Sequence, residues 1–136
     1  MTHTNEWYKN WKKPNLVNGF NERGYWIDYV DGLEFGFGID LSKFTYINAK
    51  YGVKIGDKVE IGQHCSILSN STINSHGKEL VGKIEIGEGS YIGSHSTIMP
   101  NVRIGKNCII GAYSYVDKDI PDNIKLVKGI RTVNEK

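Results

Sequence analysis

At 136 residues the chain has the size of one domain, which excludes a second independent core. Its 39% hydrophobic and 24% charged residues describe a folded, water-soluble protein and exclude a disordered tail or a membrane-spanning chain. A net charge of +2, with Lys and Arg scattered apart from Lys12 and Lys13, excludes a nucleic-acid surface but leaves room for a local site that takes an anionic cofactor.

Met1 is followed by polar Thr2, His3, Thr4 and Asn5 instead of a basic n-region and an apolar h-region, which predicts a cytoplasmic protein. Residues 1–34 show no repeat and carry Trp7, Tyr8, Trp11, Phe20, Tyr25, Trp26 and Tyr29. They are expected to cap a solenoid end or to pack between subunits, because an open end would expose strand edges and apolar surface. An aromatic platform for a sugar is the other use such residues allow.

From Phe35 an aliphatic or aromatic residue returns every six positions, at Leu41, Ile47 and Val53, and the phase then slips by two to Ile55. The beat continues through Ile61, Ile67 and Ile73, and again through Ile86, Ile92, Ile98, Ile104, Ile110 and Val116, often with Gly directly after. This period fits neither a helix nor a hairpin. Each hexad supplies one short strand and one turn, so three complete a triangular coil with the aliphatic residue pointing inward. Gly56, Gly62, Gly87 and Gly93 are assigned to corners that bend or need positive φ.

Ile73 and Ile86 stand thirteen positions apart, one more than two hexads, and the polar run Asn74 to Leu80 reads as a loop leaving the prism. Cys65 and Cys108 occupy equivalent slots of separate repeats and read as small buried packing residues, not as a disulfide or zinc pair. Pro121 breaks the repeat, and Ile124 to Val133 can add a final strand, placed to reach a neighbouring subunit. The expected fold is therefore all-β: a left-handed parallel β-helix, a hexapeptide-repeat solenoid with an irregular N-terminal cap and a short C-terminal strand. As one domain over 1–136 it divides into a cap at 1–34, the β-helix at 35–121 with a loop at 74–83, and an extension at 122–136.

The run Ile84-Glu85-Ile86-Gly87-Glu88-Gly89-Ser90-Tyr91-Ile92-Gly93-Ser94-His95-Ser96-Thr97-Ile98-Met99-Pro100-Asn101-Val102-Arg103-Ile104-Gly105, with the ending Ile110-Gly111-Ala112-Tyr113-Ser114-Tyr115-Val116-Asp117-Lys118-Asp119-Ile120-Pro121, resembles the bacterial hexapeptide-repeat acyltransferases. Within them it is closest to the small sugar O- and N-acetyltransferases of surface-polysaccharide pathways. The resemblance implies a homotrimer in which acetyl-coenzyme A lies in a groove between neighbouring prisms and a loop histidine acts as general base. Carried over, that base falls on His76, although Gly77 stands where the sugar acetyltransferases have proline. It further implies transfer of an acetyl group to an amino or hydroxyl group of a sugar or nucleotide-sugar, without a metal.

Cofactor contacts implied by the last coils fall on Gly93, Ser94, Ala112 and Lys118, with a backbone N–H near Gly93 or Ser94 facing the developing oxyanion. Lys118 suits a cofactor phosphate and a solvated surface equally well. Asn70 and Asn74 suit orientation of the base or the acceptor, and equally a turn. His64 reads as a surface or interface residue and His95 as a prism-face residue near the cofactor groove. A carbonic-anhydrase-like metal site resembles a different pattern, with two histidines five positions apart, and none of His3, His64, His76 and His95 are so spaced. A non-catalytic β-helical assembly or binding protein is the remaining alternative, against which stand the His76 loop and the Lys118 to Pro121 ending.

Overall fold

A computed structural model describes residues 7–72, 79–127 and 130–133. Its strands are two to four residues long and stack into three main parallel sheets, the faces of a left-handed prism of about five turns. On the first face the inward residues are Ile27, Ile47, Ile67, Ile98 and Val116, each directly above the last. Phe35, Ile55, Ile86, Ile104 and Ile120 fill the second face. Leu41, Ile61, Ile92, Ile110 and Leu126 fill the third. Ile dominates because a β-branched side chain stiff at χ1 suits both the strand and a narrow, close-packed lumen. Ile27, Ile47, Ile67, Ile92, Ile98 and Ile110 are all fully buried.

The slip in the sequence pattern has a physical cause at one corner. Between the first and second faces the lower two coils take eight positions, from Ile27 to Phe35 and from Ile47 to Ile55, instead of six. The two extra residues make a longer corner ahead of the second-face strand, on which Val53 and Ile55 both point inward. In the third coil the same corner opens much further. Strands Asn70–Thr72 and Glu79–Val81 pair antiparallel as a hairpin leaving the prism, and the second-face rung above Ile55 is Ile86. The excursion thus starts at Asn70, four residues before the expected loop, because the antiparallel pair itself belongs to it. Ile73 lies outside the described residues.

The prism is longer than the sequence pattern suggests at both ends. Trp26–Asp28 already pairs parallel with Tyr46–Asn48, so the first coil begins at Trp26 and not at Phe35. Its aromatic outward residue and long corner hid it from a six-residue search. Beyond Pro121, Ile124–Val127 pairs parallel with Ile109–Ile110, and Ile130–Val133 then folds back antiparallel on it. The C-terminal extension is therefore two strands on the chain's own third sheet. Beneath the first coil, Trp11 donates its indole N–H to the Ile39 carbonyl at 2.8 Å and meets Phe37 edge-on at 5.1 Å, closing that end.

The four corner glycines singled out by the sequence serve close approach, not positive φ, which falls instead at others such as Gly24, Gly52 and Gly89. At Gly56, Gly62, Gly87 and Gly93 the backbone is ordinary, but a Cβ would come within 3.0 Å of backbone atoms in the next coil. Non-glycine residues take many left-handed corner positions, among them Phe44, His64, His95, Asn101, Asn107 and Tyr113. Cys65 and Cys108 are free and buried, their thiols directed at the carbonyls of Gly93 (3.2 Å) and Pro121 (3.0 Å).

Candidate functional site

Two edges of the first face gather the candidate residues. At the edge leading in from the third face, Gly62, Gly93 and Gly111 form a column through which successive coils nearly touch. The Gly93 N–H donates to the Ile110 carbonyl at 2.7 Å and is committed to that ladder, so of the expected oxyanion pair only Ser94 keeps its candidacy. Ser94 is half-buried, its carbonyl accepts the Tyr113 N–H at 2.9 Å, and Ala112 stands exposed one coil above. Gly93, Ser94 and Ala112 therefore do come together.

Directly beside this column runs a stack of four rings. Phe44, His64, His95 and Tyr113 adopt left-handed φ of 66°, 59°, 61° and 62°, and their centroids are 5.0, 4.7 and 4.8 Å apart with planes within 18° of parallel. A left-handed conformation is uncommon for residues of this size. Here the coil repeat holds each ring over the one below, and stacking partly offsets that cost. His64 and His95 thus meet face to face along an exposed edge. Among the described residues, no group of three or more His, Cys, Asp or Glu side chains is arranged to hold a metal ion.

The opposite edge carries the hairpin. Asn70 is half-buried at its base, paired with Val81, while Asn74 and His76 lie outside the described residues. Lys118 is exposed just past the first-face strand Tyr115–Val116, so it shares this edge and not that of Ser94 and Ala112. Within one chain the first face separates Lys118 and the hairpin from the other candidates.

Close to the hairpin base lies a hydrogen-bonded group that the sequence pattern did not single out. Trp26 Nε1–H donates to Asp28 Oδ1 at 2.8 Å, Tyr46 O–H donates to Asp28 Oδ2 at 2.6 Å, and Asn48 Nδ2–H donates to the Tyr46 hydroxyl at 3.3 Å. Burial, and next the bond to Asp28, push the Tyr46 hydroxyl above its ordinary pKa. The Asn48 carbonyl accepts the Ser69 N–H at 3.0 Å, one residue before the hairpin. The available signal was the alternation Trp26-Ile27-Asp28 and Tyr46-Ile47-Asn48, which becomes readable only once both Ile residues are known to be rungs.

Residues 83–118 match the family described as "Bacterial transferase hexapeptide (six repeats)". The galactoside O-acetyltransferase of Escherichia coli (strain K12) is 31% identical over 126 residues, covering 82% of this chain and 62% of that protein. Over residues 83–118 the chain carries the repeats of that hexapeptide transferase family. Among solved structures, a maltose O-acetyltransferase from Clostridium difficile 630 superposes on this hexapeptide-repeat chain with a TM-score of 0.73 at 28% identity, covering 82% of this chain and 62% of the other. A galactoside acetyltransferase in complex with coenzyme A has a TM-score of 0.67 at 30% identity, covering 80% and 57%. The hexapeptide-repeat chain thus spans about three fifths of the length of these relatives.

Proposed function

We propose that this protein transfers an acyl group, acetyl by preference, from acyl-coenzyme A to an amino or hydroxyl group of a sugar or nucleotide-sugar in surface-polysaccharide synthesis. The observation that carries the reading is the division of the candidate residues between the two edges of one flat face, in a chain whose relatives include an acetyltransferase that binds coenzyme A. One prism cannot bring those edges together. A closed ring of prisms, each setting its hairpin edge against the Ser94–Ala112 edge of the next, joins them by a heterologous contact. The homotrimer implied by the family resemblance does this with three copies.

In that groove His76 acts as general base, taking the proton of the acceptor amine or hydroxyl as it attacks the thioester carbonyl. The Ser94 N–H faces the oxyanion, and the thiolate leaves as coenzyme A. Ala112, with a single exposed methyl group, and Gly93 packed beneath it are the candidate contacts of the pantetheine arm, while Lys118 is the candidate phosphate contact. Asp28, Tyr46 and Asn48 join Asn70 and Asn74 as candidates for holding the acceptor, since they offer carboxylate, hydroxyl and amide beside the hairpin. Among the described residues, no helix is long and apolar enough to cross a membrane. Cytoplasmic supply of acyl-coenzyme A is part of this reading.

The test is product analysis. The protein is incubated with acetyl-coenzyme A and a panel of sugars and nucleotide-linked amino sugars, and each acceptor is weighed by mass spectrometry. An added acetyl group on one acceptor class is expected. Unmodified acceptors throughout, together with no coenzyme A binding by calorimetry, would leave the non-catalytic assembly protein as the better reading.

A further inference from the structure

We propose that Trp26, with Phe20 beside it, is a stacking platform for a non-reacting pyranose ring of the acceptor, so that the preferred acceptor is a glycoside of at least two sugar rings. This rests on the sugar acyltransferase reading above. Trp26 points outward from the lowest coil of the first face, between Phe20 on one side and Tyr46 on the other. The Phe20 and Trp26 rings lie 6.4 Å apart at 44°, and the two residues remain 58% and 45% exposed.

An exposed ring that only covers a core needs no fixed pose, yet this one is tied down. Its N–H is held by Asp28, whose other oxygen takes the Tyr46 hydroxyl, so a single carboxylate fixes both side chains through charge-assisted bonds. Ordering a ring that stays in water costs side-chain entropy and buries little, whereas a ring fixed in advance lowers the cost of binding a partner. The group also retains polar capacity. A carboxylate has about four lone-pair sites and an amide two N–H donors, of which the bonds above use two and one. A flat apolar surface rimmed by a carboxylate and an amide matches a pyranose, which presents a C–H face and a rim of hydroxyls.

Position selects the ring that binds. Trp26 lies two coils below the hairpin base, and strands repeat about every 4.8 Å, so the platform sits roughly 10 Å from the level of that base at Asn70. That is about one sugar ring plus its linkage. A single ring on the platform therefore does not extend to the hairpin base.

The experiment compares wild type with Trp26→Ala on methyl glucoside and maltose as probes, scoring acetyl transfer and, separately, quenching of tryptophan fluorescence by each sugar. Wild type should favour maltose in kcat/KM and be quenched by it. Trp26→Ala should lose about tenfold on maltose, mostly through KM, with methyl glucoside changed less than about twofold. Trp26→Phe, which keeps a ring but loses the N–H, should recover part of the loss. If maltose is bound and quenches without any transfer, the platform stands and the transferase reading fails. Retained maltose preference in Trp26→Ala, or absence of quenching, overturns the platform. A change in the oligomer's mass on Trp26→Ala also overturns it, by assigning Trp26 to a subunit contact.

Discussion

Replacing Gly93 by Ala tests the close coil-to-coil approach at the edge where the cosubstrate is proposed to lie. A Cβ there would stand 2.4 Å from the Ala112 nitrogen, 2.7 Å from the Gly111 carbonyl carbon and 2.8 Å from the Ala112 Cα. All three are backbone atoms held by the ladder, so relief requires prying two coils apart. Overpacking of this kind costs about 1–3 kcal/mol, and the absence of any yielding side chain places Gly93→Ala at the upper end. Gly111→Ala is the internal control, because one coil higher the same corner would bring a Cβ only to 3.1 Å from the Leu126 carbonyl oxygen and 3.4 Å from Val127 Cα. Both substitutions stiffen the unfolded chain equally, by about 0.4–1 kcal/mol, so their difference isolates the clash. Equilibrium urea unfolding followed by circular dichroism, at one protein concentration, should separate the two variants by about 2 kcal/mol at unchanged m. Coincident midpoints would refute the argument that steric approach, and not turn conformation, requires glycine here.

Ile67→Ala, at the centre of the first-face column, should cost about 2–5 kcal/mol in the same unfolding assay, because the lumen cannot collapse around the lost atoms. Burial pushes the Cys65 thiol above its ordinary pKa, and Cys108 is equally enclosed. Iodoacetamide at pH 8 should therefore label neither in the native protein and both in urea, as counted by mass spectrometry. Burial raises the pKa of Tyr25 and Tyr46. As pH climbs past about 10 the unfolded chain loses those protons first, so stability should fall with pH until the folded groups titrate. Tyr46→Phe should flatten that alkaline fall in a pH series of urea midpoints, and an unchanged slope would contradict the assignment.

The hexad beat made the prism legible because a six-residue repeat of buried Ile has one economical structural solution, and every rung from Ile86 to Val116 falls where the spacing puts it. What the beat obscured lies at the corner that varies in length. Two extra residues there in the lower coils, and a whole hairpin in the third, shift the phase without changing the architecture. The glycines were legible as corners but not in their role, since coil-to-coil distance has no signature in a single sequence. Ser94 and Ala112 could be placed from the terminal repeats, whereas Lys118 could not be assigned to the opposite edge without knowing which strand it follows. Trp26 was legible only as one of the N-terminal aromatics, and Asp28, Tyr46 and Asn48 not at all, because their grouping spans two coils and becomes visible only in register.

Thiol release from acetyl-coenzyme A, measured with a saturating sugar acceptor for wild type and His76→Ala, tests the account most directly. A general base contributes about 10²–10⁴-fold, so the variant should lose at least a hundredfold in rate while keeping the wild-type oligomer mass and circular dichroism spectrum. An equal rate in the folded variant would contradict the role of His76, and no acceptor-dependent release from wild type would contradict acyl transfer itself.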